Sequence, residues 1–221
     1  MPIITEIKPL HANCFRVTCD DESIHKIHRK YIEKHNISKS DNIEDILFSE
    51  IVFLSNVDFA KYRAVYFLSL RDHSRSQLFK KLVPFFPQEC CDTALDILMD
   101  QGLLDDEKFA INKSESLINH KNYDLSRVKS ELINCGISSE IIDSTLEIVR
   151  TKFMYDSRTA ACELVAKKYY HKLSDEASVK RTYNTLMRLG FSYDDTRFAV
   201  NHNLELIEKE NDESNFAGET G

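Results

Sequence analysis

The sequence predicts a mainly α protein. Three tandem three-helix repeats form an elongated, curved body, and a small β/α extension precedes them. Three observations lead there. The 221-residue chain holds only five glycines and four prolines, too few for the many short turns of an all-β fold. Apolar residues recur at helical spacing from about Asp58 to the end, the mark of amphipathic and buried helices. A pattern of cap, apolar pair and glycine stop returns about every fifty residues, which is the length of a helical repeat unit.

The first thirty residues read as strands. Ile3, Thr5 and Ile7 share one face, and Phe15, Val17 and Cys19 share another after a break at Pro9. Taking Asp20-Asp21 as a two-residue turn pairs Val17 with Ile24 on one side of a small sheet. A short helix follows at 29–35. Asp41 and Glu44 have the spacing of a capping box ahead of an apolar stripe of Ile43, Ile46, Leu47, Ile51 and Leu54.

The helical units come next. Phe59 to Leu70 reads as a helix with Ala60, Ala64, Phe67 and Leu68 inward. Ser74 caps a second helix with core positions Leu78 and Leu82, and Pro84 and Pro87 end it. A third carries Ala94, Leu95, Leu98 and Met99, and Gly102 supplies a left-handed cap. Ser74, Leu78 and Leu82 find counterparts in Asp124, Val128 and Leu132, and again in Ser178, Thr182 and Leu186. Gly136 and Gly190 match in the segments LINCGIS and LMRLGFS. The third cycle opens with a long helix from about Asp156 to Leu173, and the last helix starts after Ser192. The expected organisation is an extension over 1–57, repeats over 58–104, 105–153 and 154–210, and a disordered acidic tail over 211–221. Stacked units of this kind offer a long surface and no deep pocket.

Composition excludes several functions. No cluster of glycines forms a phosphate loop, so dinucleotide and P-loop sites are out. No run of eighteen apolar residues occurs, so no membrane span is expected, and the opening segment lacks a signal-peptide block. The six cysteines form neither CxxC nor a disulfide framework and read as reduced cytoplasmic thiols. A zinc set from Cys14, Cys19, His25 and His28 fails on geometry, because Cys14 and Cys19 differ by five strand positions and point to opposite faces. The acid pairs Asp20-Asp21, Asp105-Asp106 and Asp194-Asp195 fall where turns or helix starts belong. His73, in the corner RDHSR, reads as a hydrogen-bonded histidine rather than a base. No catalytic, cofactor or metal residues are expected.

What remains is positive charge at like places in the repeats. Arg71 and Arg75 flank the first corner, and Lys80 and Lys81 lie on the next helix. Arg127 and Lys129 follow in the second unit, then Lys167, Lys168, Lys172, Lys180, Arg181 and Arg188 in the third. Singly, each reads as a solvated helix residue. Together they would line up a basic stripe for phosphates or an acidic protein surface.

The segments RDHSRSQLFKKL, LMDQGLLDDEKFA, SRVKSELINCGIS and LMRLGFSYDDTRFAV resemble, in order and spacing, the signatures of the RecX family of recombinase-regulatory proteins. The resemblance covers roughly residues 58–203, and the opening strands are similar to the extension of many Gram-positive members. It implies a non-enzymatic helical protein that lies in the groove of the RecA–DNA filament, bridges protomers and, in most members, inhibits ATPase and strand exchange. It carries over only the basic positions Arg71, Arg75, Lys80, Lys81, Arg127, Lys129 and Arg188. The partner so implied is the RecA filament, bound by a monomer in the cytoplasm, with weak direct DNA contact left open. Two rival readings stand beside it, a helix-turn-helix-like DNA-binding protein and a general helical adaptor.

The chain is more acidic than many relatives, with a net charge of −7. Residues 201–221 hold one cation, Lys209, against six acids, so most of that charge belongs to the tail. The body is near neutral, which argues against a DNA-coating protein but not against local cationic contacts.

Overall fold

The computed structural model describes residues 1–11 and 13–219, with side chains described up to residue 210. It is mainly helical, with a small three-stranded sheet at its start. The chain divides into two compact units, Met1–Asp105 and Asp106–Gly221.

The first unit opens with an antiparallel meander of β1 (Ile4–His11), β2 (Cys14–Cys19) and β3 (Ile24–His28), in the order β1-β2-β3. The β2–β3 register departs from the expected one. Val17 pairs with His25, and Ile24 pairs with Thr18. The reason is the turn: the loop has three residues, Asp20 to Glu22, and closes with Cys19 N–H donating to the Ser23 carbonyl at 3.0 Å. Glu22 takes the left-handed φ of 63° that such a loop requires. One extra loop residue shifts the pairing by one and flips side chains between faces. Ile24 is therefore 62% exposed, while Ile27 enters the core with Ile4, Val17 and Cys19.

Helix α1 (Arg29–Lys34) leads to α2 (Asp45–Leu70), a single 26-residue helix. The capping box expected at Asp41 and Glu44 is absent. Asp41 instead accepts from Ser38 N–H at 2.7 Å and closes a turn, and Glu44 is an N-cap without a side-chain bond. The boundary expected at 57/58 falls inside α2. Two polar residues at that point of α2, Ser55 and Asp58, are buried partners of the extension. Ser55 Oγ accepts from His28 N–H at 3.1 Å, and Asp58 accepts from Tyr31 Oη–H at 2.9 Å and pairs with Lys30 at 2.5 Å. Burial alone would raise the Asp58 carboxyl, but Lys30 and Tyr31 outweigh it and hold the carboxyl below its ordinary value.

Helices α3 (Arg75–Leu82) and α4 (Gln88–Asp100) complete the first unit. Ser74 caps α3 by accepting from Gln77 N–H, and Gly102 takes φ +67° after α4. Ala64, Leu78, Leu82, Cys91, Leu95, Leu98 and Leu104 make the core here. Burial pushes the Cys91 thiol up to about 11, which makes it a packing residue rather than a nucleophile.

The second unit holds two groups of three helices. α5 (Asp106–Lys121), α6 (Leu125–Asn134) and α7 (Ser139–Phe153) enclose Phe109, Leu117, Val128, Leu132 and Ile142. α8 (Ser157–Leu164), α9 (Glu176–Leu189) and α10 (Tyr193–Glu219) enclose Leu164, Val165, Leu173, Leu186 and Phe191. The long third-cycle helix is segmented. After α8 a π-helical turn spans Val165–Tyr169 and a 3₁₀ turn spans Tyr170–Lys172. The extra residue in the widened turn sets Lys168 outward and Tyr169 against the core. Thr182 and Leu186 are buried as their repeat register requires, but the cap of α9 is Asp175, three residues before Ser178. The tail expected to be disordered from residue 211 is instead helical as far as Glu219, where α10 ends, and its side chains lie outside those described. No helix among the described residues is long and apolar enough to cross a membrane.

Candidate functional site

The predicted basic residues divide into two sets once carboxylates are placed beside them. Arg75 is neutralised. Its Nη2 reaches Asp92 at 2.9 Å and Asp96 at 2.8 Å, clamping the start of α3 to α4. Arg127 pairs with Glu131 at 2.9 Å along α6, and Lys129 ties α6 to α7 through Asp143 at 3.2 Å. Each of these three is held in an ion pair within its own unit. Their spacing in sequence could not show it, because the acids that meet Arg75 and Lys129 lie on other helices.

The second set carries no ion pair among the described residues. In the first unit it comprises Arg71, Lys80 and Lys81, all exposed. Arg71 sits at the C-cap of α2 and donates to the Asp72 carbonyl at 3.2 Å. Lys81 lies over the Phe67 ring at 4.7 Å. In the second unit the set comprises Lys167 and Lys168 on the π-helical turn, Lys180 and Arg181 on the second turn of α9, and Arg188 in its last turn. Lys172 follows, over the Tyr169 ring at 5.5 Å. Sequence reasoning finds these cations but omits Arg63, which stands over Phe85 at 3.7 Å within the same first-unit surface. The density of rings around it is the signal that could have found it.

His73 is a corner histidine. Its Nδ1–H donates to the Arg71 carbonyl at 2.9 Å, the ring is buried, and burial holds its pKa below the ordinary value. The acid pairs act as turns and caps: Asp20 accepts from Ile3 N–H, Asp21 from Ser23 N–H, and Asp195 forms a reciprocal cap with Ser192. Burial raises the Cys14 and Cys19 thiols, and no group of three metal-ligating side chains gathers among the described residues.

One junction holds the end of α9, next to Arg188. Asp124 caps α6 by accepting from Ser126 N–H at 3.0 Å, and it also accepts from Tyr155 Oη–H at 3.2 Å and from the Ser157 hydroxyl. Its own N–H donates to the Leu189 carbonyl at 2.9 Å, and Ser126 Oγ–H donates to the Gly190 carbonyl. The start of α6 is thereby seated on the end of α9, beside Arg188. Burial, with Asp124 alongside, pushes the Tyr155 phenol far up, so it stays a proton donor. A cleft of about 370 Å³ opens nearby, lined by Tyr123, Met154, Tyr155, Glu163 and Lys167 among others.

Fold and site together define a predominantly helical protein whose candidate site is an exposed set of cations rather than a buried constellation of reacting groups. Comparisons with known proteins carry this further. No family model matches the chain. The chain is 32% identical over 130 residues to the regulatory protein RecX of Chlorobium phaeobacteroides, covering 58% of this chain and 82% of that protein. It is 28% identical over 159 residues to RecX of Leptothrix cholodnii, covering 70% and 93%. With RecX of Lactococcus lactis subsp. cremoris it shares 24% over 217 residues, covering 96% and 79%. A crystal structure of a regulatory protein RecX has the same fold, with a TM-score of 0.61 at 19% identity over 90% of this chain and 98% of that one. The chain belongs to the RecX family of regulatory proteins.

Proposed function

We propose that this chain regulates the RecA recombinase. As a cytoplasmic, non-catalytic monomer it binds the groove of the RecA–DNA filament and lowers ATPase and strand exchange in DNA repair and the SOS response. Family membership carries the reading, since the relatives that share up to 96% of this chain's length are named as regulatory proteins RecX. The surface supports it. Lys167, Lys168, Lys180, Arg181 and Arg188 stand exposed, and among the described residues only Arg181 has a carboxylate, Asp175, in its electrostatic reach, so their charge is available to phosphates or to acidic side chains of a partner. Helical units, each with its own core, provide the rigid faces that such binding needs. A filament repeats its binding surface, and several contacts made at once favour filament over free protomer by effective concentration.

The test is the single-strand-dependent ATPase of the cognate recombinase, measured at sub-stoichiometric ratios of this protein. Inhibition is expected, with co-sedimentation of the two proteins on filaments. Unchanged ATPase together with no co-sedimentation would remove the reading.

A further inference from the structure

The acids of the first unit are concentrated in three short segments. From Asp41 to Asn56 the chain holds Asp41, Glu44, Asp45 and Glu50 and no lysine or arginine. The β2–β3 loop adds Asp20, Asp21 and Glu22 in a row, and the first turn of α4 adds Glu89. The structure brings parts of these segments to one groove. The sheet packs on α2 around Phe48 and Ile51, whereas α4 packs further along the helix through Cys90 and Ala94. Between these two zones a groove of about 630 Å³ stays open, within the size range of ligand pockets. Phe48, Val52, Phe53 and Cys90, all buried or half-buried, make its apolar floor, and the exposed carboxylates of Asp20, Asp21, Asp45 and Glu89 stand on its rim.

The rim keeps its charge. Asp20 accepts from Ile3 N–H at 3.0 Å and Asp21 from Ser23 N–H at 2.9 Å, and neither bond supplies a countercharge. The Ser23 hydroxyl and N–H hold the Asp21 carboxyl below its ordinary value, so it stays ionised. Asp45 is paired with the Met1 amino group at 2.9 Å. Among the described residues no lysine or arginine lines the groove. One wall is fixed by His25, which stands edge-on to Phe48 with ring centroids 5.2 Å apart and places its Nε2 3.1 Å from Ser23 Oγ.

We propose that this groove docks a short basic peptide segment of a partner protein, with an apolar side chain seated on Phe48, Val52, Phe53 and Cys90 and flanking lysines or arginines on Asp20, Asp21 and Glu89. Charge complementarity selects that occupant. A purely apolar segment would draw carboxylates out of water without partners, at a cost. A nucleic acid would set its phosphates against the same carboxylates. A small polyamine has the charge but nothing to cover the apolar floor. The groove lies apart from the exposed cations that support the regulatory reading and has the opposite sign, so the proposal does not rest on that reading.

The experiment uses the full chain and a fluorescein-labelled heptapeptide of alternating lysine and leucine, read by anisotropy with neither recombinase nor nucleic acid present. Saturable binding is expected, weakening as salt rises. The same peptide with serine in place of each leucine is expected to bind about tenfold more weakly, since it leaves the floor uncovered. Asp21→Asn with Glu89→Gln removes two rim charges and is expected to lose about five- to tenfold in affinity. Glu44→Gln with Glu50→Gln removes two charges outside the groove and is expected to leave affinity unchanged. Ser49→Arg, at an exposed α2 position lining the groove, is expected to block binding at an unchanged melting temperature. If that variant does not fold, the two charge variants carry the test. No binding at low salt would overturn the proposal. So would equal loss from both charge variants, which would make the attraction one of bulk charge. Full displacement of the peptide by an equal concentration of spermidine would overturn it as well, because the groove would then take a small polycation. Self-association of the chain that Ser49→Arg abolishes would do the same, because the groove would then hold a second copy.

Discussion

Substituting Gly190 by alanine probes the α6–α9 junction at its tightest point. Gly190 takes φ +104°, where an L side chain is strained by about 1–3 kcal/mol. Its Cβ would stand 2.6 Å from Arg127 Cβ, 2.9 Å from Arg127 N and 2.9 Å from Ser126 Oγ. Two of these atoms belong to the backbone or its first side-chain atom, so the start of α6 must move. Moving it strains the Ser126–Gly190 and Asp124–Leu189 hydrogen bonds, each worth about 1 kcal/mol. The whole cost is about 4 kcal/mol once overpacking is included. Gly102 is the control: it has φ +67° but nothing within 4 Å of a Cβ, so Gly102→Ala costs the strain alone, about 1 kcal/mol. Urea unfolding followed by far-ultraviolet circular dichroism measures both. If Gly190→Ala costs no more than Gly102→Ala, the close approach at the junction is not what this glycine serves.

Four further outcomes are expected. Asp58→Asn lowers stability by about 1–2 kcal/mol at neutral pH, because buried Tyr31 loses a charged acceptor and half-exposed Lys30 loses its ion pair. The Asp58 carboxyl lies below its ordinary value when folded, so its contribution is complete above about pH 4 and disappears as pH falls through the depressed value. The acid limb of an unfolding-against-pH curve should flatten in the variant. Leu186→Ala, fully buried in the α8–α10 core, costs about 2–5 kcal/mol in thermal or urea unfolding. The pair Lys180→Gln with Arg181→Gln leaves the melting temperature unchanged and weakens inhibition of the recombinase ATPase several-fold. Arg75→Gln does the reverse: it removes the clamp on α4, lowers stability by about 1 kcal/mol and leaves inhibition intact.

The helices were legible because their signals are local. Ser74, Ser138 and Ser192 cap where they should, and Gly102, Gly136 and Gly190 all take positive φ after helix ends. Features that depend on a distant partner were misplaced. The boundary expected at 57/58 falls inside α2, where nothing nearby in sequence shows that the β3–α1 segment satisfies buried Ser55 and Asp58. The three-residue β2–β3 loop needed Glu22 in a conformation that side chains seldom adopt, so the simpler two-residue turn was preferred and the register slipped by one. Of the basic candidates, Arg75, Arg127 and Lys129 proved to be neutralised, while the cations of α9 and the π-helical turn stayed exposed.

By itself, the sequence determined the helical class, the threefold pattern of caps and stops, and the family resemblance, because periodicity and capping are properties of neighbouring residues. Only the tertiary structure decided which cations are neutralised, how α2 binds the extension to the first helical unit, and which aromatic rings stay exposed beside unpaired cations. Each of these depends on side chains that meet across elements, and no local pattern of residues encodes such a meeting.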